Sequence, residues 1–257
     1  MDLKEKEFVK QVFSKNKEAY FTSSTHADGS DLELLVEWLS PRHDFTMLDV
    51  ATGGGHVAKQ LSPHVQTVFA TDLTKDMLEN TKIHLNDYSN IHYIVADAEQ
   101  LPFLDQSFDM VTCRIAAHHF PNPNKFIKEV QRVLKVGGKF LFIDNVAPED
   151  KLLDPFINKL EKMRDYSHVR SQTITDWETL FKSYNLTITK QISRKKQLPY
   201  VEWINRTLDS SVDKKRVKSH ILNSSNKVKE YYMVNIFNNN IQSFTIDEWM
   251  VMAVKVL

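Results

Sequence analysis

Leu48-Asp49-Val50-Ala51-Thr52-Gly53-Gly54-Gly55-His56 decides how this chain folds. It closes a short apolar run, residues 45–50, that reads as a buried strand. It then opens a segment, residues 56–61, that reads as a helix. Three of the chain's six glycines stand together at the junction. Glycine has no Cβ, so it accepts positive φ and lets a ligand approach the backbone. A helix starting there turns its first N–H groups toward the same ligand. The turn therefore reads as a binding loop.

Three carboxylates narrow the ligand. Asp49 lies in the strand that leads into the loop, Asp72 ends the next apolar run (65–71), and Asp97 follows a third (91–95). Asp49 suits a cationic or amine-bearing group better than a pyrophosphate, and Asp72 stands where both hydroxyls of a ribose could be gripped. Acids at the ends of three successive strands outline a nucleoside site without phosphates. The dinucleotide pattern G-x-G-x-x-G would use Gly53, Gly55 and position 58, where Ala58 meets only its relaxed form. An NAD-dependent oxidoreductase would rest on this turn and Asp72 alone, leaving Asp49 and Asp97 without a role.

The stretches LDVATGGGH, ATDLT, ADAEQLPF, SFDMVTCRIAAHHF and VLKVGGKF resemble class I S-adenosylmethionine-dependent methyltransferases. The likeness is greatest to the small-molecule branch of the ubiquinone/menaquinone-biosynthesis C-methyltransferases. It covers roughly residues 20–148 and weakens through about residue 181. One position departs from the family: its usual first loop glycine is Ala51 here. The resemblance implies S-adenosylmethionine as cofactor and S-adenosylhomocysteine as product. By the same resemblance, Asp49 and the Gly53–Gly55 backbone hold the amino acid end and Asp72 the ribose. Asp97 accepts from the adenine amino group, and the Ala98 N–H faces the ring. Ala51, Leu73 and Arg114 complete the cofactor contacts, and Tyr20 folds over the top as a lid residue. The competing reading of Tyr20 is a ring that packs its helix on the core.

The resemblance also implies a Rossmann-like, doubly wound α/β fold with seven strands, a terminal antiparallel strand pair and helical cap elements. The sequence supports this independently. Further strands read at 110–114, 139–144, 186–193 and 249–256, with helical segments between the earlier ones. Such alternation calls for a parallel sheet covered on both faces. Phe8, Val9, Val12 and Phe13 share one face of an N-terminal helix. Thr74 reads as a helix N-cap, and Thr175-Asp176-Trp177-Glu178 as a capping box. Val136-Gly137-Gly138 reads as the end of the helix that starts at Asn122-Pro123. The expected division is a helical lid at 1–40, a methyltransferase core at 41–199 with a cap helix in 150–175, a helical insertion at 200–240, and the last core strand in 241–257.

Composition excludes several classes. Lys+Arg and Asp+Glu number 33 each, and this neutral balance argues against a nucleic-acid binder. The opening MDLKEKEFVK lacks the apolar centre of a signal peptide. No run approaches the ~18 apolar residues of a membrane span. The single cysteine, Cys113, allows no internal disulfide and reads as a core residue. A cytoplasmic enzyme is the expectation, with a small-molecule substrate, no membrane span and room for a homodimer.

The acceptor side is less specified. Residues 114–120 leave the fourth strand toward the place of the cofactor's methyl group. His118 and His119 are therefore candidates for the base that removes an acceptor proton. The alternative is that they shape the pocket. No Cys or acid stands at ligand spacing from the pair, so no metal is expected. Asp144, His168 and Arg170 are candidate pocket residues, with Arg170 suited to an acidic substrate. The basic runs 194–196 and 214–216 read as solvated faces. The expected reaction is methyl transfer to a small molecule, with carbon slightly favoured. The rival reading is a catalytically silent cofactor-binding module.

Overall fold

Apolar runs that alternate with amphipathic segments leave one solution, a sheet with helices on both faces. The computed structural model describes residues 2–22 and 31–257, the side chains of residues 2 and 19–22 excepted. Helix α1 (Asp2–Thr22) and α2 (Asp31–Leu39) precede β1 (Thr46–Val50), α3 (His56–Leu61) and β2 (Thr67–Asp72). Then come α4 (Lys75–His84), β3 (Ile91–Val95), β4 (Phe108–Arg114), α5 (Pro123–Val133) and β5 (Leu134–Val146). Helices α6 (Leu153–Arg164) and α7 (Ile174–Ser183) lead to β6 (Leu186–Pro199). Helices α8 (Tyr200–Asn205), α9 (Ser211–Leu222) and α10 (Asn226–Tyr231) lead to β7 (Asn235–Phe237) and β8 (Asn240–Lys255).

The strand order is β3-β2-β1-β4-β5-β8-β6, with β7 beside β8. The first five are parallel, and β8 runs antiparallel between β5 and β6. The sheet thus has eight strands where seven were expected; the extra one is the three-residue β7, a hairpin on the long β8. The winding reverses between β1 and β4, which opens a crevice at their carboxyl ends. Ala51 and Ile115, the residues just after those two strands, both have φ 54. Left-handed backbone at a β-branched residue is strained, so the crevice floor is held by its surroundings.

Neighbouring residues in each strand face opposite ways, and two cores result. Leu48, Val50, Val111 and Phe142 pack with Phe126 of α5 and Trp177 of α7, and fully buried Cys113 belongs to this core. Met47, Val68, Met110 and Leu141 pack with Leu35 of α2 and Val57 of α3. A third core joins Leu160 of α6, Trp203 and Ile204 of α8, Val217 of α9 and Val228 of α10 to the outer ends of β6 and β8. Among the described residues no helix is long and apolar enough to cross a membrane.

Several local expectations change. Gly137, at φ 77, lies inside β5 at a register shift against β4, so the glycine pair makes a bulge and does not separate helix from strand. Strands β6 and β8 run well beyond the apolar runs that announced them, because their outer halves, where polar and apolar residues mix, pair with each other and pack Leu198, Phe244 and Ile246 into the third core. The capping box starts at Thr173, two residues early: its hydroxyl accepts the Asp176 N–H, and the Asp176 carboxylate accepts the Thr173 N–H, both at 3.1 Å. The Thr74 hydroxyl makes no cap bond; Asp72 instead accepts the Thr74 N–H at 2.8 Å.

Candidate active site

The glycine loop is tied down from below. Asp49, 1% exposed, accepts the hydroxyls of Thr52 (2.6 Å) and Thr112 (2.8 Å), the latter its register partner on β4. The Thr52 N–H reaches the Thr71 carbonyl at 2.7 Å, and the Thr81 hydroxyl the Gly53 carbonyl at 2.6 Å. Asp72 accepts the Gly53 N–H at 3.1 Å, so the acid at the end of β2 also fixes the loop. Burial pushes the Asp49 carboxyl up to about 6, against the pull of its two hydroxyl donors and of Arg114. Burial raises Asp72 as well, opposed by the backbone N–H groups of Thr74 and Gly53. Each carboxylate is therefore poised to gain from a cation or donor that enters the crevice.

Above the loop lies a cavity of about 990 Å³, open mouth included. Asp49, Ala51, Gly53, Asp72, Leu73, Asp97, Ala98 and Arg114 line it, as do His119 and Ile115. Gly55 sets the loop from beneath: at φ 76, an added Cβ would stand 2.5 Å from Thr81 Cγ2 and 2.7 Å from Leu85 Cδ1. Helix α1 crosses the cavity, and Lys6, Val9 and Phe13 form part of its wall. Lys6 Nζ sits 2.7 Å from both Asp97 and Glu99, and the two carboxylates raise its pKa against the opposing effect of burial. Asp97, expected to accept from the adenine amino group, thus carries a latch from α1. Tyr20 lies in α1 by its backbone, and its side chain is outside the described residues.

A second cavity, about 490 Å³ with its mouth, shares Phe13, Ile115 and His119 with the first. His118 lines it, 7% exposed, with Nδ1 2.6 Å from Asp144 Oδ1. Asp144 also accepts the His118 N–H at 2.9 Å. Burial lowers the His118 pKa, but the charge and hydrogen bond of Asp144 outweigh it and the net shift is upward. Burial and the neighbouring His118 push His119 down to about 4. His168 is driven lower still, first by burial and then by the two other rings. Its ring stands 5.6 Å from that of His118, and its Nε2 lies 3.1 Å from Asn158 Oδ1. Of three adjacent imidazoles, His118 alone is biased toward the proton. Among the described residues no His, Cys, Asp and Glu group is arranged to hold a metal ion.

Some expected pocket residues lie elsewhere. Arg170 lines neither cavity; its guanidinium pairs with Asp154 at 2.7 Å, because its backbone N–H is drawn to the His118 carbonyl and turns the side chain toward α6. His168 and Asp144 stand behind His118 and support it. Arg114 pairs with buried Asp31 of α2 at 2.5 Å while bordering the first cavity. The run 194–196 is not a solvated face: Arg194 and Lys196 both meet fully buried Glu248, at 2.5 and 3.0 Å. Lys6, Glu161, Arg164, Lys196, Trp203 and Arg206 had escaped notice as wall residues, and no local motif marks them.

Residues 48–142 match a family model described as a methyltransferase domain. The uncharacterised methyltransferase YcgJ of Bacillus subtilis (strain 168) is 36% identical over 249 residues, 95% of this chain and 97% of its own. The crystal structure of YcgJ superposes with a TM-score of 0.85 at 33% identity, covering 88% of this chain and 98% of YcgJ. The ubiquinone/menaquinone biosynthesis C-methyltransferase UbiE of Rickettsia typhi is 38% identical over 125 residues, 45% of this chain and 50% of UbiE. At 12% identity, the geranyl diphosphate C-methyltransferase of Streptomyces coelicolor A3(2), solved with S-adenosylhomocysteine, shares the fold with a TM-score of 0.61, over 89% of this chain and 79% of its own.

Proposed function

The chain belongs to the class I S-adenosylmethionine-dependent methyltransferases, and we propose that it moves a methyl group from that cofactor to a small-molecule acceptor held in the second cavity. The observation that carries this reading is the pair of cavities with Phe13, Ile115 and His119 as common walls. One wall set is a glycine loop with acids, and the other holds a proton-accepting imidazole.

The first cavity fits the cofactor. Its polar groups are accepting carboxylates and backbone, as an amine, a ribose and an adenine require. Asp49 and the Gly53–Gly54 backbone would hold the amino acid end, Asp72 the ribose, and Asp97 with Ala98 the adenine; Gly55, expected beside them, lies outside the cavity wall and its N–H is bonded to the Thr52 carbonyl. Ala51, Leu73 and Arg114 would complete the wall, and α1 would act as a lid latched by Lys6. The cofactor supplies a methyl group already activated on a sulfonium. The residues of this chain then have to align an acceptor and exclude water. His118, held in one orientation by both oxygens of Asp144, would take the acceptor's proton at Nε2. Carbon as the acceptor atom rests on the UbiE likeness, which spans only half of UbiE.

The test is transfer of labelled methyl from S-adenosylmethionine into small-molecule pools. Label in a product, with stoichiometric S-adenosylhomocysteine, is the expected result. Tight cofactor binding with no transfer into any pool would make the protein a silent binding module.

A further inference from the structure

The second cavity has a charge that composition does not predict. The chain is neutral overall, with 33 basic and 33 acidic residues. Yet this cavity is lined by three cations, Arg164, Lys196 and Arg206, and one carboxylate, Glu161. The three come from the end of α6, from β6 and from the turn after α8, so they converge through the fold and not through a sequence run.

Two of them are held in fixed poses. The Arg164 guanidinium is gripped on one edge by Glu161 at 2.8 and 3.1 Å, and its Nη1 donates to the Thr207 hydroxyl at 3.2 Å. Its face lies 5.2 Å from the centre of the Trp203 ring, and Trp203 lines the same cavity. Lys196 is anchored to Glu248 at 3.0 Å, and an ammonium has two donors beyond that one. An ion pair kept in a buried wall costs desolvation, which a hydrophobic wall would avoid. A planar, preset guanidinium beside an ammonium matches the oxygens of a carboxylate or phosphate.

Resting on the methyltransferase reading above, we infer that the acceptor is an organic oxyanion, whose carboxylate or phosphate is received by Arg164, Lys196 and Arg206 while its reacting atom faces His118 and the cavity shared with the cofactor. The cations fix the far end of the substrate and leave the imidazole for the proton.

The experiment uses the full chain saturated with S-adenosylhomocysteine, in a phosphate-free buffer of low ionic strength. Inorganic phosphate, benzoate and the neutral isostere benzamide are titrated in turn, read by calorimetry. At least one of the two anions is expected to bind, with benzamide at least tenfold weaker than benzoate if benzoate is that anion. Lys196→Gln and Arg206→Gln should each weaken the bound anion about tenfold, with affinity for S-adenosylhomocysteine unchanged. Arg164→Gln should do the same, and the other two variants stand in for it if its loss unfolds the cap. Binding of neither anion, equal binding of benzamide and benzoate, or indifference to all the substitutions would overturn the inference. Failure to bind S-adenosylhomocysteine at the outset would instead overturn the methyltransferase reading.

Discussion

Asp49 and His118 are both buried, and their surroundings give them different tasks. Asp49 titrates near 6 because burial penalises its charge. Its folded pKa is above the unfolded value of about 4, so the folded state binds the proton more tightly, and stability falls as pH rises from about 4 to 6. A cationic ligand reverses the preference and favours the ionised form. Affinity for S-adenosylmethionine should then be flat above pH 6.5 and fall up to about tenfold per unit below pH 6 in wild type. The slope should vanish in Asp49→Asn; calorimetry at stepped pH reads both. His118 is raised by Asp144, so the stability it contributes is complete below the unfolded value of about 6.5 and is lost as pH rises through the higher folded value. As a base it works only when neutral, so kcat should climb with pH through a value above 6.5. His118→Gln should lower kcat by about 10²–10⁴. Asp144→Asn should move the kcat profile to lower pH as well as lower it. A profile unmoved by Asp144→Asn would remove the dyad from the chemistry.

At the scale of elements, the β1 turn that decides the fold also stores its strain. Gly55 cannot carry a side chain: a left-handed backbone adds about 1–2 kcal/mol and the crowding against Thr81 and Leu85 about 1–3. Gly55→Ala should lower unfolding stability by about 2–5 kcal/mol, whereas Ala51→Gly, at φ 54, should leave it equal or higher. Denaturant titration checks the pair, and a harmless Gly55→Ala would show that the loop geometry is wrong. Helix α1, which supplies Lys6, Val9 and Phe13 to the cavity wall, is the proposed lid. Removing the latch in Lys6→Ala should speed S-adenosylhomocysteine release several-fold in stopped-flow chase experiments; an unchanged off-rate would mean that α1 is no lid. The parallel strands and their loop could be read in advance because each is a local pattern: a buried run, then glycine or an acid. The full lengths of β6 and β8 could not, since polar and apolar residues mix along their outer halves and the pairing joins segments far apart in the chain. Lys6 was equally silent, because its partner Asp97 lies 91 positions away.

At the scale of the whole molecule, the two halves of the site have different origins. The proposed cofactor half sits at the ends of β1, β2, β3 and β4, and one contiguous stretch from Asp49 to Pro121 carries nearly all of it. The proposed acceptor half sits between that sheet and the helices after β5. Arg164, Lys196, Trp203 and Arg206 come together there through a separate hydrophobic core of α6, α8, α9 and α10, so no spacing announces them. Arg170 shows the reverse: its residue type suited an acidic substrate, but an adjacent backbone bond directs it to Asp154. The crevice between β1 and β4 reads as a nucleoside site without phosphates. The most direct test of that reading is calorimetric titration of S-adenosylhomocysteine into wild type and Asp72→Ala, with NADH as the control ligand. Micromolar binding by wild type, a loss of about 100-fold in Asp72→Ala, in keeping with a charged hydrogen-bond partner, and no heat with NADH are expected. Equal affinity in the two proteins, or binding of NADH in place of S-adenosylhomocysteine, would contradict it.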